Sequence, residues 1–163
     1  NGVAKTYAMT GWRVGWILAN EEMTNAIRKV HDFLTIGAPA PLQRAGVAAL
    51  TLPKSYYENL STFYAEKRTI MLSILDECGI SYCKPYGAYY IFTDISRFGF
   101  STDWDFAKHL VETVGVAVVP GSSFFVNPED GYKYVRFCFS KRPETLETAR
   151  GKLQKLQSLT TSR

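Results

Sequence analysis

Short apolar runs alternate with helical patterns in the second half of the chain, and this order restricts the fold more than any other feature. Strands are predicted at residues 80–84, 89–93, 116–119 and 134–139, and helices at residues 102–114 and 143–159, before a polar tail at 160–163. Thr102 and Asp105 have the spacing of a helix capping box, and Pro143 suits a first helical turn. Together these signals predict a small α/β sandwich.

The first half of the chain contains one apolar run followed by three helical patterns. Residues 14–19 are continuously apolar, which is typical of a short strand buried on both faces of a sheet. Asn20 offers a cap for a helix that should end before Gly37, a short Ala-rich helix is predicted at residues 42–50, and a longer one at about 55–77. The longest helix is expected to join two domains.

Composition and charge exclude several classes of protein. Of the 163 residues, 46% are hydrophobic and 14% aromatic, so we expect a folded chain. No run approaches the roughly 20 apolar residues that span a bilayer, and no secretory signal is evident, so we expect a cytoplasmic protein without a membrane partner. The net charge of +4 is scattered along the chain, which argues against a nucleic-acid partner.

The chain has three cysteines, at positions 78, 83 and 138. Their number is odd and no histidine stands at zinc-like spacing, so neither a disulfide framework nor a metal site is predicted. We expect all three to be buried thiols.

Two cations near the start are candidate site residues. Lys5 lies among small residues and precedes the apolar run, so we expect a buried setting in which its amine could lose its charge and attack an aldehyde. A lone lysine is otherwise usually a solvated surface charge. Arg13 lies between Trp12 and Val14, and the nearest acids in sequence lie beyond the apolar run. An anionic ligand and a local carboxylate partner both remain open for it.

Arg136 interrupts the apolar alternation of the last predicted strand. On an interior face its charge would be costly without a partner. The spacing alone leaves two alternatives equally open, a ligand-binding arginine and an outward-facing strand arginine.

A longer pattern surrounds these residues. Residues 2–15 read GVAKTYAMTGWRVG, which resembles the lysine signature of class I and II aminotransferases of the aspartate aminotransferase type. Three later segments, PYGAYY at 85–90, VAVVPGSSF at 116–124 and YVRFCF at 134–139, resemble landmarks of the small domain of that family. The resemblance covers the whole chain.

The family resemblance implies a fold and a domain division. The fold is that of a fold type I aminotransferase, with mixed α/β structure. Residues 1–62 would be the C-terminal remnant of the large cofactor-binding domain, and residues 63–163 the small α/β sandwich domain. The long helix at about 55–77 would join them.

The same resemblance assigns roles to four residues. Lys5 is the catalytic residue, which bonds the aldehyde of pyridoxal 5′-phosphate, and Arg13 binds the phosphate of that cofactor. Arg136 grips the α-carboxylate of the substrate, and Tyr89 matches an aromatic residue near the substrate side chain. Gly2 stands where many relatives carry a serine that helps to hold the phosphate.

The resemblance also implies an activity and partners. The full-length protein would transfer an amino group between an amino acid and a 2-oxo acid, as an enzyme of the aspartate or aromatic type and as a homodimer. More than half of a typical member precedes this segment, including the residues that hold the pyridine ring. We therefore expect the chain alone to be inactive and to expose apolar surface.

Three other functions remain open on the same residues. A lyase or synthase of the same fold would keep Lys5, Arg13 and Arg136. An aminotransferase-like sensor domain of a transcription regulator would add a DNA-binding segment upstream. A structural domain with a relic lysine would leave the two arginines unexplained.

Overall fold

The computed structural model describes residues 1–157 and divides into two compact units, Asn1–Tyr57 and a second unit that begins at Glu58. Residues 158–159 of the predicted last helix and the predicted tail at 160–163 lie outside the described residues.

The first unit is mainly helical. A 3-10 turn at Thr10–Trp12 precedes helices α1 (Glu21–Leu34) and α2 (Ala40–Leu50), and helix α3 (Lys54–Glu77) begins in this unit. The Asn20 side chain accepts a hydrogen bond from Met23 N at 2.9 Å, which satisfies an otherwise unpaired amide at the start of α1. The three helices predicted in this half are confirmed within two residues at their starts.

The strand predicted at residues 14–19 is wrong. Gly2 and Gly15 form an isolated antiparallel bridge, and no further strand pairing of this run occurs within the described part of the chain. Ile17 and Leu18 are 70% and 90% exposed. A strand needs a hydrogen-bonded neighbour along its length, so apolar character without such a neighbour leaves this segment irregular.

A four-stranded antiparallel sheet forms the second unit, with strand order β1-β2-β4-β3. The strands are β1 (Ser81–Tyr82), β2 (Tyr90–Asp94), β3 (Val119–Pro120) and β4 (Tyr134–Cys138). The central strands β2 and β4 form close to their predicted bounds. The edge strand β1 is shorter than the predicted 80–84, and β3 overlaps the predicted 116–119 at Val119 only, because the pairing with β4 is confined to residues 119 and 120.

Among the described residues, the second unit also contains two α-helices after α3. Helix α4 (Asp103–His109) continues into a π-helical turn at Leu110–Val114, and helix α5 (Pro143–Leu153) continues into a 3-10 turn at Gln154–Leu156. Gly115 ends the π-helical turn in the left-handed conformation, with φ +79°, which a glycine adopts without steric cost. Among the described residues, no helix is long and apolar enough to cross a membrane.

The sheet has a core face and an outer face. Alternate residues of β2 and β4 point to opposite sides, so Ile91 and Val135 are fully buried on the core face. They pack in one cluster with residues of α3, α4 and α5, among them Leu75, Phe106 and Leu153. The outer face carries half-buried side chains, which are Tyr90, Phe92, Asp94, Tyr134, Arg136 and Cys138.

The buried face of α3 includes a lysine. Phe63 is exposed, whereas Lys67 is buried, with its ammonium over the Phe63 ring at 4.0 Å and donating to Lys141 O at 2.5 Å. The lysine stem therefore covers apolar surface while its charge meets a carbonyl and a ring.

All three cysteines are free thiols, but they differ in exposure. Cys78 is buried, and that burial raises the pKa of its thiol. Cys83 is exposed, since β1 ends at the preceding residue, and Cys138 is half-buried on the outer face of the sheet. The prediction of three buried thiols is therefore wrong for these two.

The capping box of α4 provides a test of local stability. Thr102 Oγ1 accepts from Asp105 N at 3.1 Å and donates to Asp105 Oδ2 at 2.8 Å. We expect Thr102→Ala to lower the free energy of unfolding by about 1 kcal/mol, since it leaves that amide unpaired, and Thr102→Ser to preserve it. Urea denaturation measures both, and equal losses in the two variants would contradict the capping role.

Candidate functional site

Lys5 lies in a loop that hydrogen bonds hold in place. Ala8 N donates to Lys5 O at 3.2 Å, and Thr10 Oγ1 donates to Ala4 O at 2.8 Å, so the backbone on both sides of the lysine is fixed. The Lys5 side chain itself is exposed. The predicted burial is wrong for this chain, because the apolar run after the loop forms no strand that could cover it.

Three tyrosines fix the same loop to the start of α3. Tyr56 OH donates to Thr6 O at 2.7 Å, and the hydroxyls of Tyr7 and Tyr57 are hydrogen bonded at 2.7 Å. The Tyr7 ring stacks on that of Tyr56, with centroids 5.9 Å apart. The hydrogen bond with Tyr57, followed by burial, raises the pKa of Tyr7 to about 12.

Arg13 follows the 3-10 turn Thr10–Trp12 and is in the left-handed conformation, with φ +53°. A side chain rarely adopts this conformation, and where it does the surrounding structure must impose it. Arg13 Nη1 donates to Thr10 O at 3.2 Å, and no carboxylate of the described residues pairs with it. Most of its five N–H donors therefore remain available to an anion.

Gly2, which replaces the serine of many relatives, has a packing reason of its own. A Cβ at this position would lie 3.1 Å from Val14 O, tighter than most contacts of real side chains. The close pairing of Gly2 with Gly15 therefore favours a residue without a side chain here.

Arg136 lies on the outer face of β4, in contact with two aromatic rings. Its Cζ is 4.0 Å from the centroid of the Tyr90 ring and 4.5 Å from that of the Phe124 ring. Its Nε is buried without a hydrogen-bond partner, and none of the described acids pairs with it. A buried donor left unpaired costs free energy, so an acceptor from outside the described chain would be stabilising here.

Tyr89 is half-buried next to the same group. Its ring stacks on Tyr64 with centroids 5.5 Å apart and is tilted against Tyr90 at 4.6 Å. Burial, followed by the hydrogen bond with Tyr90, raises the pKa of Tyr89 to about 12. Its hydroxyl therefore stays protonated at neutral pH.

The four residues that the sequence suggests fall into two groups. Lys5 and Arg13 belong to one loop of the first unit, and in the second unit Tyr89 and Arg136 each contact Tyr90. Sequence reasoning missed Tyr90 and Phe124. The alternation of side chains along β2 could have placed Tyr90 on the outer face. Phe124 follows no such alternation because it belongs to a turn and not to a strand.

Comparison with known proteins identifies the family. Residues 1–153 match the family Aminotransferase class I and II. The chain belongs to this family. It is 36% identical over 152 residues to the methionine aminotransferase of Escherichia coli. This match covers 93% of this chain and 39% of that enzyme.

Other relatives agree with this assignment. A kynurenine–oxoglutarate transaminase of Dictyostelium discoideum is 33% identical, with 94% of this chain and 40% of the relative covered. The solved structure of an N-succinyldiaminopimelate aminotransferase from Mycobacterium tuberculosis matches with a TM-score of 0.87 at 30% identity, over 95% of this chain and 40% of that one. These likenesses confirm the predicted α/β fold of the fold type I aminotransferases. The chain spans about two fifths of the length of these relatives.

The tyrosine contact at the Lys5 loop predicts a pH dependence. The folded chain holds Tyr7 neutral to a higher pH than the ordinary tyrosine value of about 10, so this contribution to stability is complete below pH about 10. It is lost as the pH rises through about 12. We expect Tyr57→Phe to lower the pKa of Tyr7 toward the ordinary value.

A pH titration by NMR with labelled tyrosine rings measures this shift. Tyr86→Phe is the control, since Tyr86 is 88% exposed. If Tyr57→Phe leaves the pKa of Tyr7 unchanged, the hydrogen bond is not its cause.

Proposed function

We propose that this chain supplies the cofactor lysine and the substrate-carboxylate arginine of a pyridoxal-phosphate-dependent amino-acid aminotransferase. The state of Arg136 is the observation that carries this proposal. Two rings lie against its guanidinium, while its N–H groups have no acceptor among the described residues. A planar guanidinium of this kind binds a carboxylate through two parallel hydrogen bonds, which fixes the orientation of the substrate as well as adding affinity.

The donor groups of the Lys5 loop fit the cofactor that the family implies. Pyridoxal phosphate carries an aldehyde and a phosphate, and the loop carries an exposed primary amine and an exposed guanidinium. Neither has a carboxylate partner within the described part of the chain, so both are available. Lys5 would hold the aldehyde carbon and Arg13 the phosphate. The bound cofactor supplies an electron sink that makes the Cα proton of an amino acid acidic.

Three residues of the chain then have distinct roles in the reaction. Once the substrate amine has displaced Lys5 from the aldehyde carbon, the freed Lys5 amine would remove the Cα proton of the substrate and later return a proton, as a general base and then a general acid. Arg136 binds the α-carboxylate and so directs the Cα–H bond. Tyr89, which is protonated at neutral pH, offers an aromatic face and a hydroxyl donor to the substrate side chain.

The substrate type and the domain division are part of the proposal. An amino acid of the aspartate or aromatic type is expected, and the aromatic rings beside Arg136 favour the aromatic alternative. Residues 1–62 would belong to the large domain and 63–163 to the small one, joined by α3. The division of the structure between Tyr57 and Glu58 supports a boundary in this helix.

The chain by itself is proposed to be inactive. It spans 39% of the E. coli relative, and in the family the residues that hold the cofactor ring precede the lysine. We further propose that the full-length protein acts as a cytoplasmic homodimer. The large exposed side chains of α1 and its flanking segments, including Leu18, Phe33 and Leu34, support a surface that other protein covers.

Borohydride reduction of the full-length protein with bound pyridoxal phosphate tests the role of Lys5. We expect the reduced label at Lys5 in a peptide mass map, and we expect Lys5→Ala to lower kcat by about 10²- to 10⁴-fold through loss of the general base. Lys29→Ala, another exposed lysine of the first unit, is the control. Label that is absent from Lys5 or spread over many lysines would contradict the catalytic role.

Substitution of Arg136 tests the carboxylate site. A panel of methionine, kynurenine, aspartate and phenylalanine, with 2-oxoglutarate as acceptor, first shows which amino acid turns over and whether the product is a 2-oxo acid. For that substrate we expect Arg136→Lys to raise KM by about 10- to 100-fold, since an ammonium cannot form the bidentate pair. Arg142→Lys, an exposed residue before α5, should leave KM unchanged. An unchanged KM in Arg136→Lys would contradict the proposed role.

A further inference from the structure

We propose that Tyr90 and Phe124 are positioning residues that hold the Arg136 guanidinium ready for a substrate carboxylate. This inference rests on the proposed function and adds two residues to its substrate site. We refer to Tyr90 and Phe124 as the aromatic clamp.

Both clamp contacts have the geometry of cation–π interactions. The distances of 4.0 Å from Arg136 Cζ to the Tyr90 ring and 4.5 Å to the Phe124 ring lie well within the limit of about 6 Å for such contacts. A cation–π contact uses no hydrogen-bond donor of the guanidinium. The clamp therefore restricts the orientation of Arg136 without using its donors.

The register of the sheet places Tyr90 at the guanidinium. Arg136 of β4 is paired with Phe92 of β2, and Tyr90 is two residues along β2, paired with Cys138. Tyr90 is thus the diagonal neighbour of Arg136 on the outer face, a position that long and aromatic side chains can reach. The backbone ladder fixes this contact independently of any ligand.

Phe124 reaches the guanidinium from a 3-10 turn, Gly121–Phe124, that is itself anchored. The fully buried Asp103 at the start of α4 accepts a hydrogen bond from Ser122 N at 2.7 Å through Oδ2. The turn also packs against Gly131, where a Cβ would lie 2.4 Å from the Cα of Ser122. Because a buried carboxylate and a close backbone contact both hold the turn, the Phe124 ring has a defined place.

These contacts imply that the carboxylate site exists before substrate binds. A free arginine side chain loses much rotational freedom when it forms a bidentate pair, and a side chain already held by rings loses less. Removing a clamp ring should therefore weaken substrate binding while the proton-transfer groups remain intact. Such a change appears in KM and not in kcat.

Kinetics of the full-length holoenzyme tests the clamp with a matched pair of variants. Phe124→Leu removes a ring that contacts Arg136 and Phe92, and Phe125→Leu removes a neighbouring ring that contacts Phe92 and Tyr134 but has no cation–π contact with Arg136. The two phenylalanines are 46% and 39% exposed, so the substitutions are comparable. The substrate is the amino acid of the panel above that turns over.

We expect Phe124→Leu to raise KM by about 2- to 30-fold with little change in kcat, which is the range of a lost cation–π contact. Phe124→Tyr keeps the ring face and should restore the wild-type KM, and Phe125→Leu should not change it. In an Arg136→Lys background, Phe124→Leu should add less than it does alone, since the two residues act through one interaction. A purely structural role for Phe124 would not produce this coupling.

Tyr90→Leu gives an independent test, because Tyr90 lies on strand β2 whereas Phe124 lies in a turn. Tyr90→Phe is the control that keeps the ring. Equal KM values for the Phe124→Leu and Phe125→Leu variants, or a loss confined to kcat, would overturn the clamp. If Arg136→Lys raises KM while the folded Phe124→Leu and Tyr90→Leu variants do not, the clamp alone is wrong. If Arg136→Lys has no effect, or no amino acid of the panel turns over, the proposed function fails and the clamp with it.

Discussion

The antiparallel ladder between β2 and β4 is the interaction on which the second unit depends. Its register, from Tyr90 opposite Cys138 to Asp94 opposite Tyr134, decides which side chains face the helices and which face outward. If β4 shifted by one residue, Val135 would turn out of the core and Arg136 would turn into it. The hydrophobic burial that stabilises this unit therefore also specifies the position of the candidate carboxylate site.

The Lys5 loop depends on a different kind of interaction. Few of its side chains are buried, Val3 being the exception, and the loop is held by hydrogen bonds to backbone carbonyls and by contacts among tyrosine rings. Ala8 and Arg13 are both left-handed, each at a cost on the order of 1–3 kcal/mol. Polar contacts of this kind are directional, so they can fix an exposed loop for chemistry where burial cannot.

The sequence predicts best what local chemistry decides. The cap at Asn20, the capping box at Thr102 and the helix end at Gly115 are readable because neighbouring residues provide the hydrogen bonds or the backbone freedom. The strand predicted at 14–19 is wrong because a strand also needs a partner, which periodicity does not reveal.

For the candidate site, too, the sequence predicts the local motif but not the contacts that come from distant residues. The motif around Lys5 points to Lys5 and Arg13, but the exposure of both follows from the missing strand. For Arg136, spacing leaves a ligand-binding arginine and an outward-facing strand arginine open, and the structure places it on the outer face. It is half-buried on the outer face between aromatic residues, because Phe124 arrives from a turn that no pattern in the strand predicts.

The other half-buried arginines show why Arg136 differs. Within the described part of the chain there are two of them. Arg68 donates to Pro85 O at 2.8 Å, and Arg150 pairs with Glu77 and Glu147. Both are satisfied by the fold, as expected for partly desolvated cations. Arg136 has rings in place of acceptors, and its buried Nε is unpaired. Among the described residues, the fold provides acceptors for Arg68 and Arg150 but none for Arg136, although two rings fix its position. This favours an anion from outside the chain as the missing partner of Arg136.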